Sequence, residues 1–174
     1  VKRHLRAANP SHNGGVERIS RGMFGHKVVW SDLASDLRAA AVPATVRSCG
    51  TSHPVVPLNS VYFIPVGDRS SALLLSAYLN SLPLRTFARS IAERAKDAHF
   101  RFFSWTVAML PLPRDWRHNA ASGPLVRIAE RAHADGALSI DAAQELNDIV
   151  ARAFGLSPSQ LLALASFDCW LRGD

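Results

Sequence analysis

Cysteine is scarce in this 174-residue sequence: only Cys49 and Cys169 occur, far apart and with no CxxC spacing or histidine neighbour. That excludes a disulfide framework and a cysteine-built zinc site. The seven histidines, His4, His12, His26, His53, His99, His118 and His133, stand singly, without the i, i+4 pairing or the nearby carboxylates that zinc needs. No apolar run approaches the roughly 18 residues that span a bilayer, and residues 1–9 are basic and polar, unlike a signal peptide. The expectation is a soluble, cytoplasmic protein with no membrane partner. There is no internal repeat and no low-complexity tract. The chain opens on Val1 rather than Met, as a piece cut from a longer polypeptide would.

Chemistry-bearing motifs are also missing. No glycine-rich loop follows a strand to hold a nucleotide or S-adenosylmethionine, since Asn13-Gly14-Gly15 has no strand before it. Asn9-Pro10-Ser11-His12 departs twice from the Asn/Asp-Pro-Pro-aromatic motif of amino-methyltransferases, and a turn is the better reading. Ser48-Cys49-Gly50 has no visible base or strand-turn-helix elbow. Asp68 with Glu93 and Lys96 resembles a nuclease set, but two residues rather than one separate Glu93 from Lys96, and on a helix these are ordinary ion-pair neighbours. The sequence therefore carries no catalytic motif, and no cofactor is expected within it.

What is present is charge, unevenly placed. Residues 1–114 carry fifteen Lys/Arg against six Asp/Glu, a net of +9, whereas residues 115–174 carry five against eight, a net of −3. A basic front attracts polyanions, because each neutralised phosphate releases condensed counterions. A merely solvated basic surface would have the same composition.

The pattern predicts an α+β fold: a small β-sheet with packed helices, followed by a short helical C-terminal region. Residues 1–25 read as an irregular basic arm. Residues 26–113 read as the α+β unit, with a strand at His26–Leu33, a helix from Ser31 through Ala41 and a loop over residues 44–60. A strand at Val61–Pro65 follows, then a helix capped by Ser70 or Ser71 whose apolar positions wrap nearly all round. Pro83 breaks that helix near Asn80-Ser81 and a second restarts there; residues 100–110 are β-rich. Residues 124–174 read as three helices. Pro124 starts the first and Gly136 ends it, Ser139 caps the second and Gly155 stops it, and a Ser157-Pro158-Ser159-Gln160 capping box opens the third.

In order along the chain, His26-Lys27-Val28-Val29-Trp30, Pro57-Leu58-Asn59-Ser60-Val61-Tyr62-Phe63-Ile64, Leu79-Asn80-Ser81, Phe100-Arg101-Phe102 and Leu110-Pro111-Leu112-Pro113, and Phe154-Gly155-Leu156-Ser157 resemble segments of one family. It is the TaqI-like C-terminal specificity (target-recognition) domain of N6-adenine DNA methyltransferases in restriction-modification and phage-defence systems. The likeness covers about residues 26–172, and Pro83 after Leu-Asn-Ser departs from it.

The resemblance implies duplex DNA as partner. S-adenosylmethionine and methyl transfer would belong to a catalytic domain or subunit outside these residues. Arg can bond guanine and Asn adenine through two hydrogen bonds each, while other cations grip phosphates. The implied DNA contacts are Lys27, Arg47, Arg85, Arg89, Arg94, Lys96 and Arg101, with Asn59 and Asn80 as weaker polar choices. The alternative is a protein-interaction module whose helical tail docks on a catalytic or partner subunit through Leu161, Leu164, Phe167 and Trp170.

Overall fold

A computed structural model describes residues 21–173; most of the basic arm, including Asn9-Pro10-Ser11-His12, lies outside the described residues. The fold is α+β with a helical C-terminal region. Its central sheet is antiparallel: β1 (Lys27–Ser31) lies between β3 (Ala39–Val42) and β6 (Val61–Pro65), with Trp30 opposite Ala39 on one side and Tyr62 on the other. Val28 and Trp30 are buried, and the Trp30 indole N–H donates to the Phe102 carbonyl at 2.8 Å, so its one polar atom is satisfied in the core. A smaller antiparallel sheet orders β2 (Leu33–Ala34), β8 (Phe100–Arg101) and β7 (Glu93–Arg94). A separate two-stranded ribbon joins β4 (Thr45–Ser48) to β5 (Thr51–Pro54).

Helix α1 (Arg69–Asn80) is the middle layer, packed against β1 and β3 on one side and α4 (Ser122–Asp135) on the other. Its run Ala72–Leu79 is buried at every position, as apolar residues all round a helix require. The serines expected to cap it lie inside its first turn. The cap is Asp68, whose carboxylate accepts from the Ser71 backbone N–H and from the Ser71 hydroxyl, each at 2.8 Å. Ser81, extended at φ −72° and ψ 149°, separates α1 from α2 (Leu82–Ile91), where Pro83 sits in the first turn and wastes no helical donor. The exposed N–H of Leu82 is taken by Asn147 Oδ1 of α5 (Ile140–Ala153) at 2.7 Å, a cap supplied across the fold.

Three segments depart from the sequence expectation. The helix expected from Ser31 through Ala41 is absent; Leu37, Ala39 and Ala41 are buried while Arg38 and Ala40 are exposed, the period-two pattern of a strand at the sheet edge. Alanine's helix propensity is overridden there by pairing with β1. The loop expected over residues 44–60 contains the β4–β5 ribbon. The strand expected over 100–110 is only Phe100–Arg101, after which α3 (Ser104–Ala108) buries Thr106 and Val107, with Leu110 one turn beyond.

The tail follows its signals. Gly136 and Gly155 take left-handed φ of 71° just beyond α4 and α5, and α6 (Pro158–Arg172) opens on the Ser157/Gln160 capping box. Leu125, Ile128, Leu146 and Val150 of the tail belong to the same hydrophobic core as Val28, Trp30 and Tyr78. Among the described residues no helix is long and apolar enough to cross a membrane.

Asp68 provides the stability test. Hydrogen bonds from Ser71 hold its carboxyl below the ordinary value of 3.8. A depressed acid stabilises the fold fully above its unfolded pKa, and that contribution is lost as pH falls through the folded pKa. Asp68→Ala should cost about 1 kcal/mol at neutral pH, and urea titrations of variant and parent should begin to converge only once the pH falls below the ordinary value of 3.8.

Candidate nucleic-acid interface

Of the nine residues implied as DNA contacts, three are structural, three are engaged at their guanidinium, and three stand exposed at the surface. Lys27 is fully buried on β1, so it cannot meet a phosphate. Its ammonium donates to the Val55 carbonyl at 2.8 Å and the Pro43 carbonyl at 3.5 Å. Burial pushes its pKa below the ordinary lysine value of 10.5.

Arg89 is equally buried. Its guanidinium lies between two carboxylates: Nη1 donates to Asp168 of α6, and Nη2 is 2.6 Å from Asp36 Oδ1, a close ion pair whose N–H is not well aligned. Thr86 Oγ1 donates to the same Asp168 oxygen at 3.1 Å, and the guanidinium stands over the Phe100 ring, 5.6 Å from its centroid. Arg85, one turn earlier on α2, is half-buried with Nε 3.2 Å from Asp36 Oδ2. The two arginines one turn apart thus serve one carboxylate rather than a phosphate row. A sequence cannot display this pairing, because Asp36 and Asp168 are remote in the chain.

Asn80 closes the list of structural residues. From the end of α1 its Oδ1 accepts from the Ala39 N–H at 2.9 Å and its Nδ2 donates to the Ala39 carbonyl at 2.7 Å. This two-bond geometry could have read an adenine; here it joins α1 to the edge of β3. Arg101 pairs with Asp32 at 3.1 Å and covers the Phe103 ring, and Arg94 donates to the Leu171 carbonyl at 3.0 Å while covering Phe100. Both keep part of the guanidinium surface-facing. Arg47, Asn59 and Lys96 are exposed.

The feature not foreseen from the sequence is the ribbon that carries Arg47. All eight residues of β4 and β5 are exposed. From Leu37 to Gly67 the chain contains no Asp or Glu, while Arg38 and Arg47 are exposed within it. Alternating small polar residues around Cys49-Gly50 were the available signal: a two-residue turn with glycine second marks a tight hairpin. A second unforeseen cluster joins Phe103 and the exposed Trp105, whose rings are 6.2 Å apart and nearly parallel. On α6, Phe167 and Trp170 stack at 5.6 Å and 15°, with Trp170 67% and Leu162 69% exposed. Leu161 and Leu164, named with them as a docking face, are half-buried. A concavity of about 420 Å³ lies between α4 and α5 beside Arg131 and Glu145, away from these residues. Among the described residues no three His, Cys, Asp or Glu side chains converge.

These placements separate two kinds of arginine. Arg89→Ala leaves Asp36 and Asp168 with uncompensated charge in the core and should cost about 3–5 kcal/mol. Arg47→Ala removes only exposed atoms and should stay within about 0.5 kcal/mol of the parent, both read from urea midpoints. No family model and no curated protein matches the chain.

Proposed function

We propose that this chain recognises duplex DNA as the specificity part of an N6-adenine DNA methyltransferase of the restriction-modification or phage-defence type. S-adenosylmethionine and methyl transfer then belong to a catalytic domain outside these residues. The observation that carries the reading is the exposed β4–β5 ribbon with Arg38 and Arg47, in a stretch from Leu37 to Gly67 whose exposed positions offer cations and hydroxyls and which holds no carboxylate. A polyanion approaching such a surface meets no like charge, and each phosphate it places on a cation releases counterions. The ordered resemblance of the sequence segments supports the same reading. Extruding the target base costs a few kcal/mol, which phosphate contacts made by such a domain help to offset.

The cations to test are those left free by the fold. Binding of the chain to a mixed-sequence duplex should weaken steeply with salt. Arg47→Gln and Lys96→Gln should each lower the slope of log K against log salt by about one unit. Arg89 is excluded from this series because its charge is spent in the core. Binding that is absent at low salt, or indifferent to salt, would count against recognition of DNA.

A second reading is favoured by the stacked, exposed Phe167–Trp170 pair: α6 as a docking face for the catalytic domain. Aromatic anchors of this kind dominate interface energies. Removing residues 124–174 would strip Leu125, Ile128, Leu146 and Val150 from the core, so point substitutions are the cleaner probe. Trp170→Ser with Phe167→Ser should weaken association with the catalytic domain in sedimentation while leaving the salt slope for DNA unchanged. Unaltered association would eliminate α6 as the docking face.

A further inference from the structure

The β4–β5 ribbon has the dimensions of a groove reader and an unusual root. Four residues per strand at about 3.3 Å each make an arm of about 13 Å, with strands about 4.8 Å apart. The B-DNA major groove is about 12 Å wide and about 8.5 Å deep and admits a two-stranded ribbon onto a distinct code for each base pair; the minor groove, about 6 Å wide, shows a degenerate one. Thr45 pairs with Pro54 and Arg47 with Ser52, so Thr45, Arg47 and Ser52 share one face; Val46, Ser48, Thr51 and His53 share the other. The first face offers a guanidinium and two hydroxyls, the groups that bond base edges.

The tip is tight. Cys49 and Gly50 hold φ of 50° and 79°, the left-handed pair of a two-residue hairpin whose twist matches that of its strands. At Gly50 an added Cβ would meet nothing within 4 Å; glycine is there for its backbone angle, and the tip is open to solvent.

An isolated two-stranded hairpin is marginal in water, and this one buries none of its eight strand residues. Its order must come from the root. There the Lys27 ammonium donates to the carbonyls of Pro43, two residues before β4, and Val55, the residue after β5, and the Val55 N–H donates to the Ala44 carbonyl at 3.0 Å. One buried cation therefore holds both legs of the ribbon to the central strand of the sheet.

We propose that the β4–β5 ribbon enters the major groove of the duplex with Arg47 toward the bases, its attitude set by the Lys27 ammonium at its root. The inference rests on the DNA-recognition reading above, and its test separates the two. Lys27 acts as a positioning residue and touches no DNA itself.

The test uses the full 174-residue chain and duplexes with a randomised centre, selected for binding and then measured by fluorescence anisotropy. Methylation of guanine N7 obstructs the major groove, and netropsin obstructs the minor. N7 methylation should weaken binding to the selected duplex and netropsin should not. Arg47→Ala should cut the preference for the selected duplex over the random pool by roughly tenfold or more, while weaker salt-dependent binding remains.

Lys27→Met, similar in length but without donors, should cut the same preference and speed hydrogen exchange of amides in residues 45–54 while α1 amides keep their protection. A role confined to overall stability would speed exchange throughout and leave the preference intact in the surviving folded protein. Retention of both the preference and the N7-methylation effect in Arg47→Ala overturns the ribbon as reader and leaves DNA recognition standing. Retention of the preference in Lys27→Met overturns the positioning role. A block by netropsin alone overturns the groove assignment, and failure of the parent chain to bind any duplex removes both inferences.

Discussion

The buried guanidinium of Arg89 is the interaction on which the rest of the architecture hangs. It sits on α2 between Asp36, from the segment joining β2 to β3, and Asp168, from α6. A charged group sheltered from water must be matched on the spot, and removing either partner of such a pair costs more than never having built it. The group therefore fixes three remote parts of the chain relative to one another. Arg85 and Thr86 add a second contact to Asp36 and to Asp168 respectively, and the face of Phe100 closes the pocket. The C-terminal helix is held to the front of the molecule by this ion cluster as well as by apolar packing.

That cluster also changes how the charge of the sequence should be read. A net of +9 over residues 1–114 is a statement about composition, whereas a field outside the molecule depends on which cations are left uncompensated. Arg89 and Lys27 are spent inside the fold, and Arg85 and Arg101 lie against Asp36 and Asp32. What remains free in the described front part is more local than the composition implies, and it includes Arg38 and Arg47 in a stretch devoid of acid. A polyanion site built this way relies on the absence of carboxylates as much as on the number of arginines.

The sequence disclosed most where the controlling physics is local. Pro83 and Ser81 broke the helix where expected, and the Ser139 cap, the Gly136 and Gly155 stops and the Ser157/Gln160 box each act within one turn. It disclosed least where distant partners decide. Ala39–Val42 reads as helix on propensity and becomes a strand because β1 and the Asn80 amide are waiting for it. The aromatic run after Phe100 reads as strand, yet Thr106, Val107 and Leu110 face the core at helical spacing. The destinations of Lys27, Asn80 and Arg89 depend on carbonyls and carboxylates far away in the chain, and no spacing rule reaches them.

Lys27 and Arg89 show how the two cations differ as building materials. A guanidinium is planar with a fixed fork of donors, which suits it to lie between two carboxylates and against an aromatic face; Arg89 does both. An ammonium is compact and carries three donors that can rotate, which suits carbonyls converging from different directions. Lys27 meets two such carbonyls, and burial without a carboxylate partner lowers its pKa. The arginine joins rigid bodies through their side chains, whereas the lysine grips backbone at the base of a thin arm. α1 and the central sheet share an apolar core, but an arm with eight exposed residues has no packing of its own, so its direction has to be imposed from the strand beneath it.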